Sequence, residues 1–123
     1  MPEPTYTDCI AACKAAADAA EECAAACRRE EAPAGLLRCI ALDEDCVDVC
    51  RLAIALMKRK SESAVAVIEV CADVCKACAE ECEQHDHMEH CRVCAQACRR
   101  CVDACVAMAQ APRNMTAAVA AAL

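Results

Sequence analysis

The sequence predicts an all-α fold, an antiparallel up-down-up-down four-helix bundle with a cysteine-lined core. Three observations predict it. The 123 residues include 31 Ala, the strongest helix former, but only one Gly and four Pro, too few for a turn-rich β fold. Three polar breaks, RREEAPAG at 28–35, KRKSES at 58–63 and EQHDH at 83–87, leave four segments. Within each segment the 16 cysteines recur at intervals of three, four, seven or ten, the spacings of one helix face.

Taken in order, the helices cover about 5–31, 36–60, 62–84 and 87–110 of a single domain spanning 1–123. Thr5 suits the N-cap of the first, with Asp8 at its third position. The second lacks a clear cap and starts near Gly35 or Leu36; Lys58, Arg59 and Lys60 mark its end, where cations favour a helix C-terminus. Ser61 suits the cap of the third, and Asp86 with Glu89 forms a D-x-x-E box opening the fourth. After Pro112, the tail 112–123 suits either a short docking helix or a frayed end. Connections this short favour antiparallel neighbours, so the first and third loops share one end.

A formal charge of −7 argues against nucleic-acid or anionic-membrane partners. The opening MPEPTYTDCI lacks the pattern of an export signal, and no run reaches the ~18 apolar residues of a membrane span. A cytoplasmic chain is expected, and in that reducing compartment cysteines serve as metal ligands or redox groups more often than as disulfides.

At 100° per residue, Cys9, Cys13, Cys23 and Cys27 fall within about 80°, and Cys71, Cys75, Cys78 and Cys82 within about 60°. Cys39, Cys46 and Cys50 form the stripe of the second helix, and Cys91, Cys94, Cys98, Cys101 and Cys105 that of the fourth. Charged residues fill the other faces, as in CRVCAQACRRC, so the cysteines face inward. Leu, Ile and Val number only 20 and Phe and Trp are absent, so Ala and Cys must build the core and something besides aliphatic burial must complete it.

A single buried Cys is often an apolar filler, but sixteen on four seams form a different pattern. Disulfides within one helix would close only short loops. Embedded in a 3-4-3-4 helical pattern, the C-x2-C steps CKAC, CRVC and CRRC lack the loop context of iron–sulfur ligation. Metal ligation remains. Thiolates at i and i+4 start with Cβ atoms roughly 5–6 Å apart and can grip one soft ion between them. Zinc normally takes four ligands from turns, and each four-thiolate zinc site keeps a net charge of about −2, costly in a core. Cu⁺ at about one per thiolate leaves the core near neutral, and soft thiolates select it.

Seven C-x3-C units, at 9/13, 23/27, 46/50, 71/75, 78/82, 94/98 and 101/105, together with the His-rich third loop, resemble the four-helix-bundle copper storage proteins over roughly residues 5–110. The resemblance implies many cysteine-bound Cu(I) ions along the bundle axis, on the order of 16 to 20 here. It also implies assembly into a homo-tetramer, and without an export signal the chain looks like the cytosolic branch. Cys39 and Cys91 stand outside any C-x3-C pair and are expected to pair across helices.

Seam register brings Asp43, between Cys39 and Cys46, towards the same end as His85 and His87. With Met88 and His90 nearby, HDHMEH reads as a mouth where Cu(I) passes inward from a copper chaperone or a low-molecular-weight thiol. Glu30 continues the first seam to that end but reads as a solvated charge. Met57, Ile68 and Met108 form a plug at the other. The expected function is therefore non-catalytic bulk sequestration of Cu(I) by the sixteen cysteines, with Asp43, His85 and His87 as further metal-site residues. A zinc or general heavy-metal buffer, and a protein cycling thiols with disulfides, are the alternatives.

Overall fold

The structure, a computed structural model, describes residues 5–114. Four α-helices follow one another: α1 (Tyr6–Arg28), α2 (Leu37–Lys58), α3 (Ala64–Glu83) and α4 (Glu89–Asn114), with a 3-10 turn over Pro33–Leu36 between the first two. Each helix packs against two neighbours, α1 on α2 and α4, and α3 on α2 and α4. Contacts between opposite ends give the antiparallel sense: Cys9 meets Cys105, Cys23 meets Cys91, and Cys39 meets Cys82. The up-down-up-down bundle is as expected.

Helix boundaries follow from local chemistry. Thr5 caps α1, its Oγ1 accepting from the Asp8 amide at 3.2 Å. The end of α1 comes earlier than expected, at Arg28, because Pro33 seeds the 3-10 turn and the chain must reverse before it. Lys60, at φ 52°, terminates α2 in the left-handed region: its amide reaches the Met57 carbonyl at 3.1 Å and the Ser61 amide reaches that of Leu56 at 2.9 Å. Ser61 does not cap α3 directly. It is spent in this turn, with its Oγ accepting from the Ser63 amide at 3.1 Å, and α3 starts at Ala64. The box expected at Asp86 is likewise displaced, since Glu89 is the first residue of α4 and the Asp86 carbonyl accepts from Arg92 Nη1 at 2.9 Å. α4 continues through Pro112 to Asn114, past its expected end at 110; the rest of the tail lies outside the described residues.

All sixteen cysteines are buried. Small alanines such as Ala16, Ala20, Ala53 and Ala79, fully or nearly fully buried, let the helices approach closely enough for the thiols to touch. Met57, Ile68 and Met108 close one end of the core. Exposed ion pairs tie the outer faces: Arg28 to Glu44, Arg51 to Glu21 at 2.6 Å and Arg99 to Glu83 at 2.7 Å. Such pairs contribute about 0–1 kcal/mol each and set register more than stability. Among the described residues, no helix is long and apolar enough to cross a membrane.

Candidate metal centre

The thiols form a continuous column. From the closed end, Cys105 lies 3.9 Å from Cys9 and from Cys13, and 3.8 Å from Cys101. Cys101 lies 3.7 Å from Cys13 and from Cys75, and Cys75 lies 3.8 Å from Cys71. Cys50 sits 3.6 Å from both Cys71 and Cys75, and Cys46 continues the column at 3.7 Å from Cys75 and 3.8 Å from Cys98. Contacts within one helix, such as Cys46 to Cys50 at 3.9 Å and Cys94 to Cys98 at 3.9 Å, match the cross-helix ones in length. These are thiols in van der Waals contact, far from the ~2.05 Å of a disulfide. Cys39 and Cys91 find their sulfur partners across helices, Cys82 at 3.7 Å and Cys23 at 3.8 Å.

Asp43 enters this column as a fully buried carboxyl group. Its Oδ1 accepts from Cys78 at 3.1 Å, Cys94 at 3.4 Å and Cys82 at 3.7 Å, and its Oδ2 lies 3.9 Å from Cys39. Burial first, then the neighbouring Cys82 and Cys23 sulfurs, push its pKa up to about 9, so it is neutral in the apo-protein near pH 7.

Beyond Asp43 the mouth begins. His90 Nδ1 lies 3.5 Å from Cys91, 3.6 Å from Cys23 and 3.9 Å from Cys27, while its Nε2 lies 3.3 Å from Glu30 Oε1. Burial opposes charge on this ring, but its hydrogen bonds with Cys23 and Glu30 prevail and hold its pKa above the ordinary value. Burial and then the Cys23 charge push Cys27 up to about 12, whereas hydrogen bonding from Cys39 leads the causes that bring Cys23 down to about 5. The cluster thus favours few thiolates without a cation, because neighbouring sulfur charges repel in a poorly solvated space.

His85 is half-buried, its Nε2 2.8 Å from Glu81 Oε2; Arg38 Nε holds the other Glu81 oxygen at 3.3 Å. His87 is exposed and, with His85, Met88, Glu30 and Leu36, lines a surface depression at this end. Seam register pointed His87 inward, but register is lost through the turn that separates α3 from α4. His90, inside the first turn of α4, is the ring that reaches the thiols. The signal is a spacing of four before a cysteine, which His87 has from Cys91 as His90 has from Cys94, but only His90 shares a helix with the cysteine four residues on. Glu81, three residues past Cys78, and Glu30, three past Cys27, carry the same signal.

Groups of four potential ligand atoms lie within 4.8 Å of one another at several levels: Cys13, Cys71, Cys101 and Cys105; Cys50, Cys71, Cys75 and Cys101; Asp43, Cys78, Cys82 and Cys94; Cys23, Cys39, Asp43 and Cys82; and Cys23, Cys27, His90 and Cys91. They overlap. The first two share Cys71 and Cys101, and the last two share Cys23, so these groups cannot all be independent four-ligand sites. A set of donors in which Cys71, Cys101, Cys23 and Cys82 each belong to two groups suits bridging thiolates and many small, soft, low-coordinate ions.

Comparison with known proteins agrees with this chemistry. The model of a family described as copper storage protein matches residues 3–110. An uncharacterized cysteine-rich protein, YhjQ, of Bacillus subtilis (strain 168) is 41% identical over 101 residues, covering 82% of this chain and 93% of that protein. The Cu(I)-bound copper storage protein BsCsp3 superposes with a TM-score of 0.81 at 39% identity, over 85% of this chain and 99% of the other. A cytosolic copper storage protein from Streptomyces lividans, in a structure with five coppers, superposes with a TM-score of 0.78 at 45% identity, over 81% and 88% of the two chains.

Proposed function

Because the chain belongs to the copper storage protein family, we propose that its sixteen core thiols sequester Cu(I) in bulk, without catalysis. The observation that carries this reading is the overlap of the ligand groups, in which Cys71, Cys101, Cys23, Cys82 and Asp43 each serve two. Isolated tetrahedral zinc sites need four ligands apiece and leave each four-thiolate site at about −2. Shared thiolates with monovalent ions bring the column close to neutral, which matters where water cannot solvate charge.

In this reading, all of the cysteines from Cys9 to Cys105 are ligands, and capacity is on the order of 16 to 20 Cu(I). Asp43 lies where the column meets the mouth. His85 and His87, joined by His90, receive ions at that end from a copper chaperone or a low-molecular-weight thiol. The plug of Met57, Ile68 and Met108 supports loading from the histidine end. Cytoplasmic residence, a single domain over 1–123 and assembly into a tetramer belong to the same proposal; the cytosolic relative from Streptomyces lividans supports the first.

Titration of the reduced apo-protein with Cu(I) against a tight Cu(I) chelator tests the reading. Saturation above about ten ions is expected; saturation near four would point to zinc-like sites and favour the metal-buffer alternative.

A further inference from the structure

We propose that Glu81 and Glu30 are positioning residues that hold the imidazoles of His85 and His90 by Nε2, making Nδ1 the nitrogen each ring presents to Cu(I). This rests on the storage reading above and adds to it how the mouth is oriented. The two rings come from different elements, His85 from the turn after α3 and His90 from the first turn of α4, and the two glutamates from α3 and the segment after α1. Even so, each carboxylate meets the same ring nitrogen: Glu81 Oε2 lies 2.8 Å from His85 Nε2, and Glu30 Oε1 lies 3.3 Å from His90 Nε2.

A neutral imidazole that donates Nε2–H to a carboxylate keeps its lone pair on Nδ1. For His90 that atom already faces Cys91, Cys23 and Cys27 at 3.5, 3.6 and 3.9 Å, one nitrogen and three sulfurs around one point. Rotated by half a turn about its outer bond, the same ring would offer a different nitrogen at a different place, so the carboxylate selects between two geometries. A carboxylate behind a ligating ring also raises its basicity.

Glu81 gives the stronger argument. It is only 8% exposed, and a buried carboxylate is costly unless both oxygens are paired. Both are: Arg38 Nε takes Oε1 at 3.3 Å and His85 takes Oε2. Arg38 is mostly exposed, so Glu81 has one partner anchored in solvent and the other at the mouth. The result is a relay of fixed groups, Arg38 to Glu81 to His85, ending at the surface depression that His85 lines with Glu30 and Met88.

The test uses full-length protein labelled with 15N in its histidine rings, observed by long-range proton–nitrogen spectra without metal and with Cu(I) added stepwise, alongside stopped-flow loading. In the wild type, Cu(I) is expected to perturb Nδ1 of His85 and His90 while Nε2 keeps its proton. E30Q and E81Q retain an oxygen acceptor and should keep that pattern. E30A and E81A should show mixed tautomers and load about 10-fold more slowly, with total capacity unchanged because every thiol and both rings remain. Copper on Nε2 in the wild type would overturn the assignment, as would alanine variants whose ring shifts and loading match the wild type. Circular dichroism checks the fold, and the glutamine variants keep the comparison meaningful if an alanine variant unfolds. A wild type saturating near four ions contradicts bulk storage instead, and the ring spectra still decide which nitrogen binds.

Discussion

Cys78 donates its thiol hydrogen to Oδ1 of Asp43 at 3.1 Å, placing a neutral carboxyl group at the level where the all-sulfur column gives way to the mouth. The contact is buried from both sides, and Cys94 and Cys82 crowd the same oxygen at 3.4 and 3.7 Å. An acid held this way acts against the fold at neutral pH.

The first prediction concerns that cost. With a folded pKa of about 9 against an unfolded value near 3.9, the folded apo-protein keeps a proton that the unfolded chain releases. The raised pKa therefore means stability that is fully present below about pH 4 and lost as pH rises towards 9, by at most about 1.4 kcal/mol per unit. Asp43→Asn keeps the carbonyl acceptor and does not titrate. Reduced apo-D43N should be more stable than the wild type at pH 8, by on the order of 2–4 kcal/mol, with the gap closing towards pH 5. Urea denaturation at the two pH values measures it, and a gap independent of pH would mean that Asp43 is charged in the fold.

The second concerns shared ligands. Cys71 and Cys101 belong to two four-sulfur groups each, whereas Cys9 lies at the rim of the column, in contact with Cys105. Replacing Cys71 and Cys101 with Ser should therefore lower capacity by more than the about two ions expected if each thiolate held its own, while Cys9→Ser should cost about one. Mass spectrometry of the intact loaded protein reads the count. Equal loss per cysteine everywhere would show that the sulfurs do not bridge.

Much of this was legible in the sequence because a helix maps spacing onto direction. Sixteen cysteines at helical-face spacings, with charges on the remaining faces, leave one way to orient four helices, and the seams of the bundle follow. What spacing cannot supply is geometry across a break. His87 carries the seam register on paper, yet the turn before Glu89 cancels it and His90 reaches the sulfurs instead. Ser61 and Asp86 carry cap chemistry but are taken up in the turns that precede their helices. Spacing puts Glu30 on the first seam, but its partner is a ring sixty positions away, which no local pattern encodes.

Lys60 supplies a third prediction, independent of metal. At φ 52° it adopts a backbone region that costs a side-chain-bearing residue roughly 1 kcal/mol and glycine almost nothing. Its amide and that of Ser61 close the end of α2 on the Met57 and Leu56 carbonyls. Lys60→Gly should stabilise the apo-protein by about 0.5–1 kcal/mol, the relief of strain being partly offset by the freer unfolded chain, and should leave copper capacity unchanged. Thermal unfolding with a parallel copper titration checks both halves.

The last prediction separates rate from capacity at the mouth. His85 and His87 line the outer depression, and neither is among the groups of ligand atoms named above, whereas His90 stands with Cys23, Cys27 and Cys91 in one of them. A group that only receives ions lowers the barrier to loading without changing how many are held at equilibrium; a group that holds an ion changes both. H85A/H87A should therefore load several-fold more slowly yet reach the wild-type stoichiometry, while H90A should lose about one ion as well as speed. Stopped-flow loading from a Cu(I) chelator gives the rates, and equilibrium competition gives the counts. Unchanged kinetics in H85A/H87A would remove those two residues from the path. Full capacity in H90A would place that ring beside the thiols without making it a ligand, leaving the three mouth sulfurs to hold the ion alone.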